Sequence, residues 1–223
     1  MPTDANPLIY NDYRPIPGRS LLVFLGVCVV ALTALRLLGP LLHLEFGLLG
    51  ASGLFFMIAL AAVVIAVRPI GWAAIPALGL RPAPWKYAVF GALATLALSV
   101  AVSQLGLEPK DMKDVLEKVR EPHQLVLSLL LFAVLAPIVE ELVFRGLLYG
   151  WVAGRWGSVA AWIVSSLVFA GAHWDPAHAI LVLPLGFLFG WLRRRTDSLL
   201  PSLCAHIVNN GFALVAAVYL PDV

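Results

Sequence analysis

Pro137-Ile138-Val139-Glu140-Glu141-Leu142-Val143-Phe144-Arg145-Gly146 sets two adjacent carboxylates and an arginine into sequence apolar enough to cross a membrane. An ionised side chain near the bilayer centre costs several kcal/mol unless it is paired or faces water. Three such groups within one short stretch therefore imply that the chain uses them. Two later apolar runs add His173 and the pair His206 and Asn210. The reading turns on whether these polar groups form one site inside a membrane bundle.

Composition supports the membrane setting. Of 223 residues 61% are hydrophobic and 13% charged, with a mean hydropathy of +0.92, whereas a soluble domain carries about 25% charge. The expected fold class is all-α: a polytopic membrane helical bundle of seven to eight transmembrane helices with one amphipathic helix. Residues 1–19 read as a cytoplasmic tail and 20–223 as a single integral membrane domain. The net charge of +2 comes from scattered basic residues. Nucleic-acid binding calls for a basic stripe or cluster, and none is present. Cys28 and Cys204 both fall in apolar runs and read as two buried thiols rather than a disulfide framework. No small-x-small cleavage pattern closes the first apolar run, which reads as an uncleaved anchor.

A spanning helix needs about 20 mostly apolar residues. Seven segments qualify: Ser20–Leu38, Gly47–Val67, Trp85–Leu105, Gln124–Gly150, Gly157–His173, Ala177–Leu192 and Leu199–Leu220. The fifth and sixth are short and nearly abut across Trp174-Asp175-Pro176, which predicts a tight hairpin. Glu108–Glu121 mixes both charge signs with Met112, Val115, Leu116 and Val119, the spacing of an interfacial amphipathic helix. With the N-terminus inside, ten basic residues fall on the cytoplasmic side against five outside, which favours that orientation. The expected setting is a bacterial cytoplasmic membrane, with the N-terminus cytoplasmic. Arg193, Arg194 and Arg195 read as a topology anchor. Six tryptophans near span ends (Trp72, Trp85, Trp151, Trp156, Trp174, Trp191) fit an aromatic belt. Gly186 and Gly190 form a small-x3-small pair of the kind that lets helices associate.

Glu141 and Arg145 are four apart with the acid N-terminal, the favoured order for a helical ion pair. Glu140 is turned about 100° away, so one carboxylate satisfies Arg145 while the other faces a cavity. The bland reading, a Glu–Arg clasp between helices, covers Glu141 and Arg145 well and Glu140 poorly. His173 has Phe169 one turn before it; alone it reads as an interfacial histidine. His206 and Asn210 share one face of the last span, where helix–helix hydrogen bonding is the competing account. Asn209 points elsewhere. His43, His123 and His178 read as interfacial. At 1.5 Å per residue, Glu140 lies about 15 Å up its span, His173 about 24 Å, His206 about 10 Å and Asn210 about 16 Å, a spread that helix tilt narrows.

Glu140-Glu141-x3-Arg145, Phe169-x3-His173 and His206-x3-Asn210, in this order on successive membrane helices, resemble the motifs of the CAAX-processing and bacteriocin-processing (CPBP, or ABI) family of intramembrane proteases. The resemblance runs from about residue 125 to 217 and implies a catalytic core over 124–217. Members of the family usually have eight spans, one more than the seven found here. The resemblance implies hydrolysis of a peptide bond in a membrane-associated or lipidated protein or peptide. Glu140 would act as general base on a water with His173 beside it. His206 and Asn210 would donate to the oxyanion, with Glu141, Arg145 and Phe169 in support. No cofactor is needed. The close alternative is a zinc protease with Glu140, His173 and His206 as ligands and an open position for water. No His-Glu-x2-His element supports it. A non-catalytic membrane scaffold or regulator and a proton or ion carrier remain readings from other classes. The absence of internal repeats counts against the carrier.

Overall fold

The computed structural model describes residues 15–44, 46–107, 109 and 122–219. The expected amphipathic helix at Glu108–Glu121 lies, apart from Pro109, outside the described residues. Among the described residues every regular element is helical, and the chain is an integral membrane helical bundle.

Among the described residues six stretches are long and apolar enough to span a membrane. Helix α1 (Gly18–Leu38) has 21 residues, about 31 Å of rise, which matches a hydrocarbon core of about 30 Å. Helix α2 (Leu48–Val67) passes into a 3-10 turn, Arg68–Ala73, with Pro69 at its start. Helix α3 is Trp85–Ser103. The fourth stretch, His123–Gly171, runs for 49 residues. Unbroken it would reach about 74 Å, more than twice the bilayer core. It is broken at Gly157, where φ 82° and ψ 169° leave helical space in a region that only glycine enters freely. We number its two arms α4 (122–156) and α5 (158–171). With that break, the fourth and fifth expected segments both have counterparts in the structure.

The hairpin between α5 and α6 (Pro176–Thr196) is as tight as Trp174-Asp175-Pro176 predicts. Asp175 caps α6, its Oδ1 accepting from the backbone N–H groups of Ala177 (2.8 Å) and His178 (3.4 Å), and Pro176 sits where no N–H is required. Helix α7 (Leu200–Tyr219) follows after a left-handed turn at Asp197, φ 51°.

Small residues bring the helices to contact distance. A Cβ on Gly186 would lie 3.0 Å from Phe169 Cδ1, and one on Gly190 2.7 Å from Trp162 Cδ1. The small-x3-small pair thus seats α6 against α5 within this chain rather than marking an outer surface. Cys204 is exposed and Cys28 half-buried, so the expectation of two buried thiols is corrected. Cys204 lies on the face of α7 away from its neighbours.

Arg193 departs furthest from expectation. Arg194 and Arg195 are exposed, as an anchor should be, but Arg193 is fully buried. Its Nε donates to the Arg145 carbonyl (3.0 Å), its Nη1 meets Asp197 (2.8 Å), and its guanidinium lies over the Tyr149 ring at 4.8 Å. Asp197 also takes Arg81 (2.6 Å), while the Leu199 N–H and Ser198 hydroxyl bond the carbonyls of Gly79 and Arg81. The α6–α7 turn is thereby tied to the 78–81 loop and to the backbone of α4 at Arg145. Gly79 makes room for this. Its φ is +82°, and a Cβ there would come within 2.7 Å of the Arg193 guanidinium. Gly79→Ala is therefore expected to cost at least about 1–2 kcal/mol from the left-handed backbone alone. A lowered melting midpoint in detergent is the check, with Gly26→Ala, at a helical position with open space around it, as the control.

Candidate active site

Glu141 and Arg145 pair within α4, as their spacing predicts, in a π-helical stretch (Glu141–Leu148) of a type frequent at functional sites. Both side chains are fully buried, with Arg145 Nη1 3.2 Å from Glu141 Oε1. The contact is an ion pair rather than an aligned hydrogen bond, since Nη1 and Nε make no hydrogen bond. Arg145 Nη2 donates to the Gly186 carbonyl at 2.9 Å. The guanidinium lies over Phe169 at 4.4 Å and near Phe189 at 5.5 Å, where a desolvated cation–π contact contributes about 2 kcal/mol. Glu141 is held from α7 as well. The Ser202 hydroxyl donates to Oε2 (2.6 Å), and His206 Nδ1 lies 3.2 Å from Oε1. A carboxylate accepts, so Nδ1 carries the proton.

This fixes what His206 offers on its other side. Nε2 points to Glu140 Oε2 at 3.5 Å. The imidazole is stacked on Phe189 (centroids 4.7 Å, 25° between planes) and stands edge-on to Phe169 at 5.7 Å. His206 therefore bridges the two carboxylates, which play different parts. Glu141 is 0% exposed, while the Glu140 side chain keeps 23% of its surface. One acid is locked and the other is open, as the 100° offset requires.

The Phe169 ring carries His173 on another side, at 5.1 Å, and His173 Nδ1 bonds the Phe169 carbonyl at 3.0 Å. The two motif histidines thus flank one ring. His178, expected at an interface, lies against His173 at 4.4 Å between centroids and interacts electrostatically with Glu140. Asn210, one turn beyond His206, donates from Nδ2 to the Phe132 carbonyl at 3.0 Å, so it too is tied to α4, two turns before Glu140. Each polar position picked out from the sequence thus contacts α4 or the Phe169 ring. Ser202, Phe189, His178 and Arg193 were not anticipated. Ser202 was legible in principle, since it lies four residues before His206 on the same face.

In the zinc ligand set of Glu140, His173 and His206, both histidines place Nδ1 on a protein acceptor, His206 on Glu141 and His173 on a backbone carbonyl, an orientation that leaves Nε2 as the ring nitrogen for a metal. Among the described residues no three His, Cys, Asp or Glu side chains are grouped to hold a metal ion.

A helical membrane bundle with a buried Glu–Arg–His cluster, one open carboxylate and a second histidine across a shared ring has the parts of an intramembrane hydrolase. Residues 122–212 match the family model of Rce1-like type II CAAX prenyl endopeptidases. The chain is also 26% identical over 215 residues, 96% of its own length and 75% of the relative's, to YdiL of Bacillus subtilis (strain 168), a protein named provisionally as a membrane peptidase. No solved structure matches it. Both matches agree with the likeness of the three sequence motifs to those of the CPBP intramembrane proteases. The matched segment contains α4 from Pro122 onward, α5, α6 and α7 as far as Phe212, and so all the site residues above.

Proposed function

We propose that this protein is a metal-free intramembrane endopeptidase in which Glu140 activates water against a peptide bond of a membrane-associated, lipidated substrate. The observation that carries the reading is the asymmetry of the carboxylate pair. Glu141 is used up by Arg145, Ser202 and His206, while Glu140 stays partly open, with His206 Nε2 at 3.5 Å. A group held for structure alone would be satisfied like its neighbour.

In this scheme Glu140 takes a proton from water as the water oxygen bonds to the scissile carbonyl carbon. Negative charge moves to the carbonyl oxygen, which accepts from Asn210 Nδ2 and from His206 Nε2 carrying a proton. The intermediate collapses by breaking the C–N bond, and the leaving amine takes the proton held by Glu140. His173, across Phe169, orders the water together with Glu140. Arg145, two carboxylates and a doubly protonated His206 sum to zero charge, which suits a buried cluster. The protein lies in a bacterial cytoplasmic membrane with its N-terminus inside, and the type II prenyl endopeptidase likeness makes a prenylated C-terminal peptide the substrate to try first.

The test is cleavage of a quenched fluorescent peptide carrying a farnesylated cysteine four residues from its C-terminus, alongside the same peptide without the lipid. Purified protein is expected to cut the farnesylated form, with product mass placing the cut after the cysteine. Rates are expected to be unchanged by EDTA or 1,10-phenanthroline. Chelator inhibition reversed by added zinc would remove the metal-free mechanism and leave the peptidase. A proteoliposome that moves protons but cuts neither peptide would replace the peptidase by a carrier.

A further inference from the structure

Asn210 can serve an oxyanion only if its amide nitrogen, not its oxygen, faces the reacting carbonyl, and nothing in one asparagine decides that. The surroundings do. Leu129–Leu135 is π-helical, and the Ala136 N–H reaches back five residues to the Leu131 carbonyl. In that register the donor for the Phe132 carbonyl would be the N–H of residue 137, and residue 137 is a proline, which has none. The Phe132 carbonyl is left for a side chain, and Asn210 Nδ2 takes it at 3.0 Å.

A backbone carbonyl can only accept, so it fixes the direction of everything behind it. Asn210 must present nitrogen to Phe132, and its Oδ1 then needs a donor. That donor is Asn209 Nδ2, at 3.2 Å. Asn209 Oδ1 is turned the other way, toward α3, where the Thr95 hydroxyl donates at 3.4 Å and the Ser99 hydroxyl in a short contact. Thr95 is fully buried and Asn209 nearly so, so water does not compete for these bonds. Every link runs in one sense, from hydroxyls on α3 through two amides on α7 to the carbonyl freed by Pro137.

We propose that Asn209 is a positioning residue which, backed by Ser99 and Thr95, sets the amide of Asn210 with its second Nδ2 hydrogen toward the scissile carbonyl oxygen. The inference rests on the oxyanion role given to Asn210 above. It gives α3, which lies outside the segment matched to the family, a part in the catalytic step. Asn209 touches no reacting atom; it acts through its neighbour.

Steady-state cleavage of the farnesylated peptide tests this with the full chain in detergent, each variant first checked for its melting midpoint. Asn209→Leu removes donor and acceptor together and is expected to lower kcat by roughly 10- to 100-fold with KM unchanged, less than the 10²–10³-fold typical of losing an oxyanion donor outright. In an Asn210→Ala background the same change is expected to do nothing further, because its target is gone. Pro137→Ala returns an N–H to compete for the Phe132 carbonyl and is expected to lower kcat in the same way. Should Asn209→Leu fail to fold, Thr95→Val with Ser99→Ala tests the chain from its other end, with kcat expected to fall about tenfold. A wild-type kcat in the variants that fold, or a loss that persists undiminished without Asn210, overturns the relay and leaves the peptidase standing. Full activity of Asn210→Ala alone takes down the oxyanion assignment and the relay with it.

Discussion

Glu140→Gln is expected to reduce turnover of the farnesylated peptide by roughly 10²- to 10⁴-fold, the range that a positioned general base contributes, and to leave the melting midpoint in detergent where it was. The two halves of this expectation have separate causes. Glutamine has the shape of glutamate and can still meet His206 Nε2, which lies 3.5 Å from Glu140 Oε2. It cannot take a proton from water. The side chain is also partly open, and the amide oxygen of glutamine can still accept from His206 Nε2. Turnover is read with the quenched peptide and folding from the thermal unfolding midpoint. A glutamine variant within about threefold of the parent rate would show that the carboxylate is not the base. The scaffold reading would gain accordingly.

Much of the fold was open to inference from the sequence because a bilayer imposes one length on every spanning helix. The apolar runs and the turn at Trp174-Asp175-Pro176 follow from that constraint, and the structure has helices at each of them. The boundary between α4 and α5 was legible as well: the expected segments stop at Gly150 and resume at Gly157, and Gly157 is where the backbone leaves helical space. Spacing along a helix was also informative where both partners share that helix. Glu141 and Arg145 are the example, and the 100° offset correctly separated Glu140 from them.

What spacing cannot supply is the partner on another helix. Nothing in His206-x3-Asn210 tells which carboxylate its histidine will take, and the depth arithmetic, about 10 Å against 15 Å, was too coarse to decide. The structure gives His206 to both acids. Arg193 was hidden for a related reason. Three consecutive arginines at a span end read as one charged anchor, yet a helix turns about 100° per residue, so one of the three faced inward to the Arg145 carbonyl. Asn209 was read as pointing away from the site, and it does point to α3. Its other end reaches Asn210, which a single direction assigned to a side chain cannot capture.

The second large effect falls on the locked acid. Glu141→Ala strips the counter-charge from Arg145, whose guanidinium is fully buried with two nitrogens lacking hydrogen bonds, and leaves His206 Nδ1 without its acceptor, while the Ser202 hydroxyl keeps the Leu199 carbonyl. Breaking a buried pair by deleting one partner costs about 3–5 kcal/mol, because the survivor stays charged in a medium that cannot solvate it. The variant is expected to melt much earlier in detergent or to fail to accumulate. The double change Glu141→Leu with Arg145→Met removes both charges together, and apolar replacement of a whole buried pair is often neutral. It is therefore expected to recover most of the lost stability. Activity is expected not to return, since His206 has then lost the group that holds its Nδ1 proton and aims Nε2 at Glu140. Restored folding without restored cleavage is the result that assigns Glu141 two separable jobs, charge partner of Arg145 and orienter of His206. A double variant that is as unstable as Glu141→Ala would mean that Arg145 contributes through its contacts to Gly186 and Phe169 rather than through its charge. One that cleaves normally would mean that the aromatic faces of Phe169 and Phe189 hold His206 in place unaided.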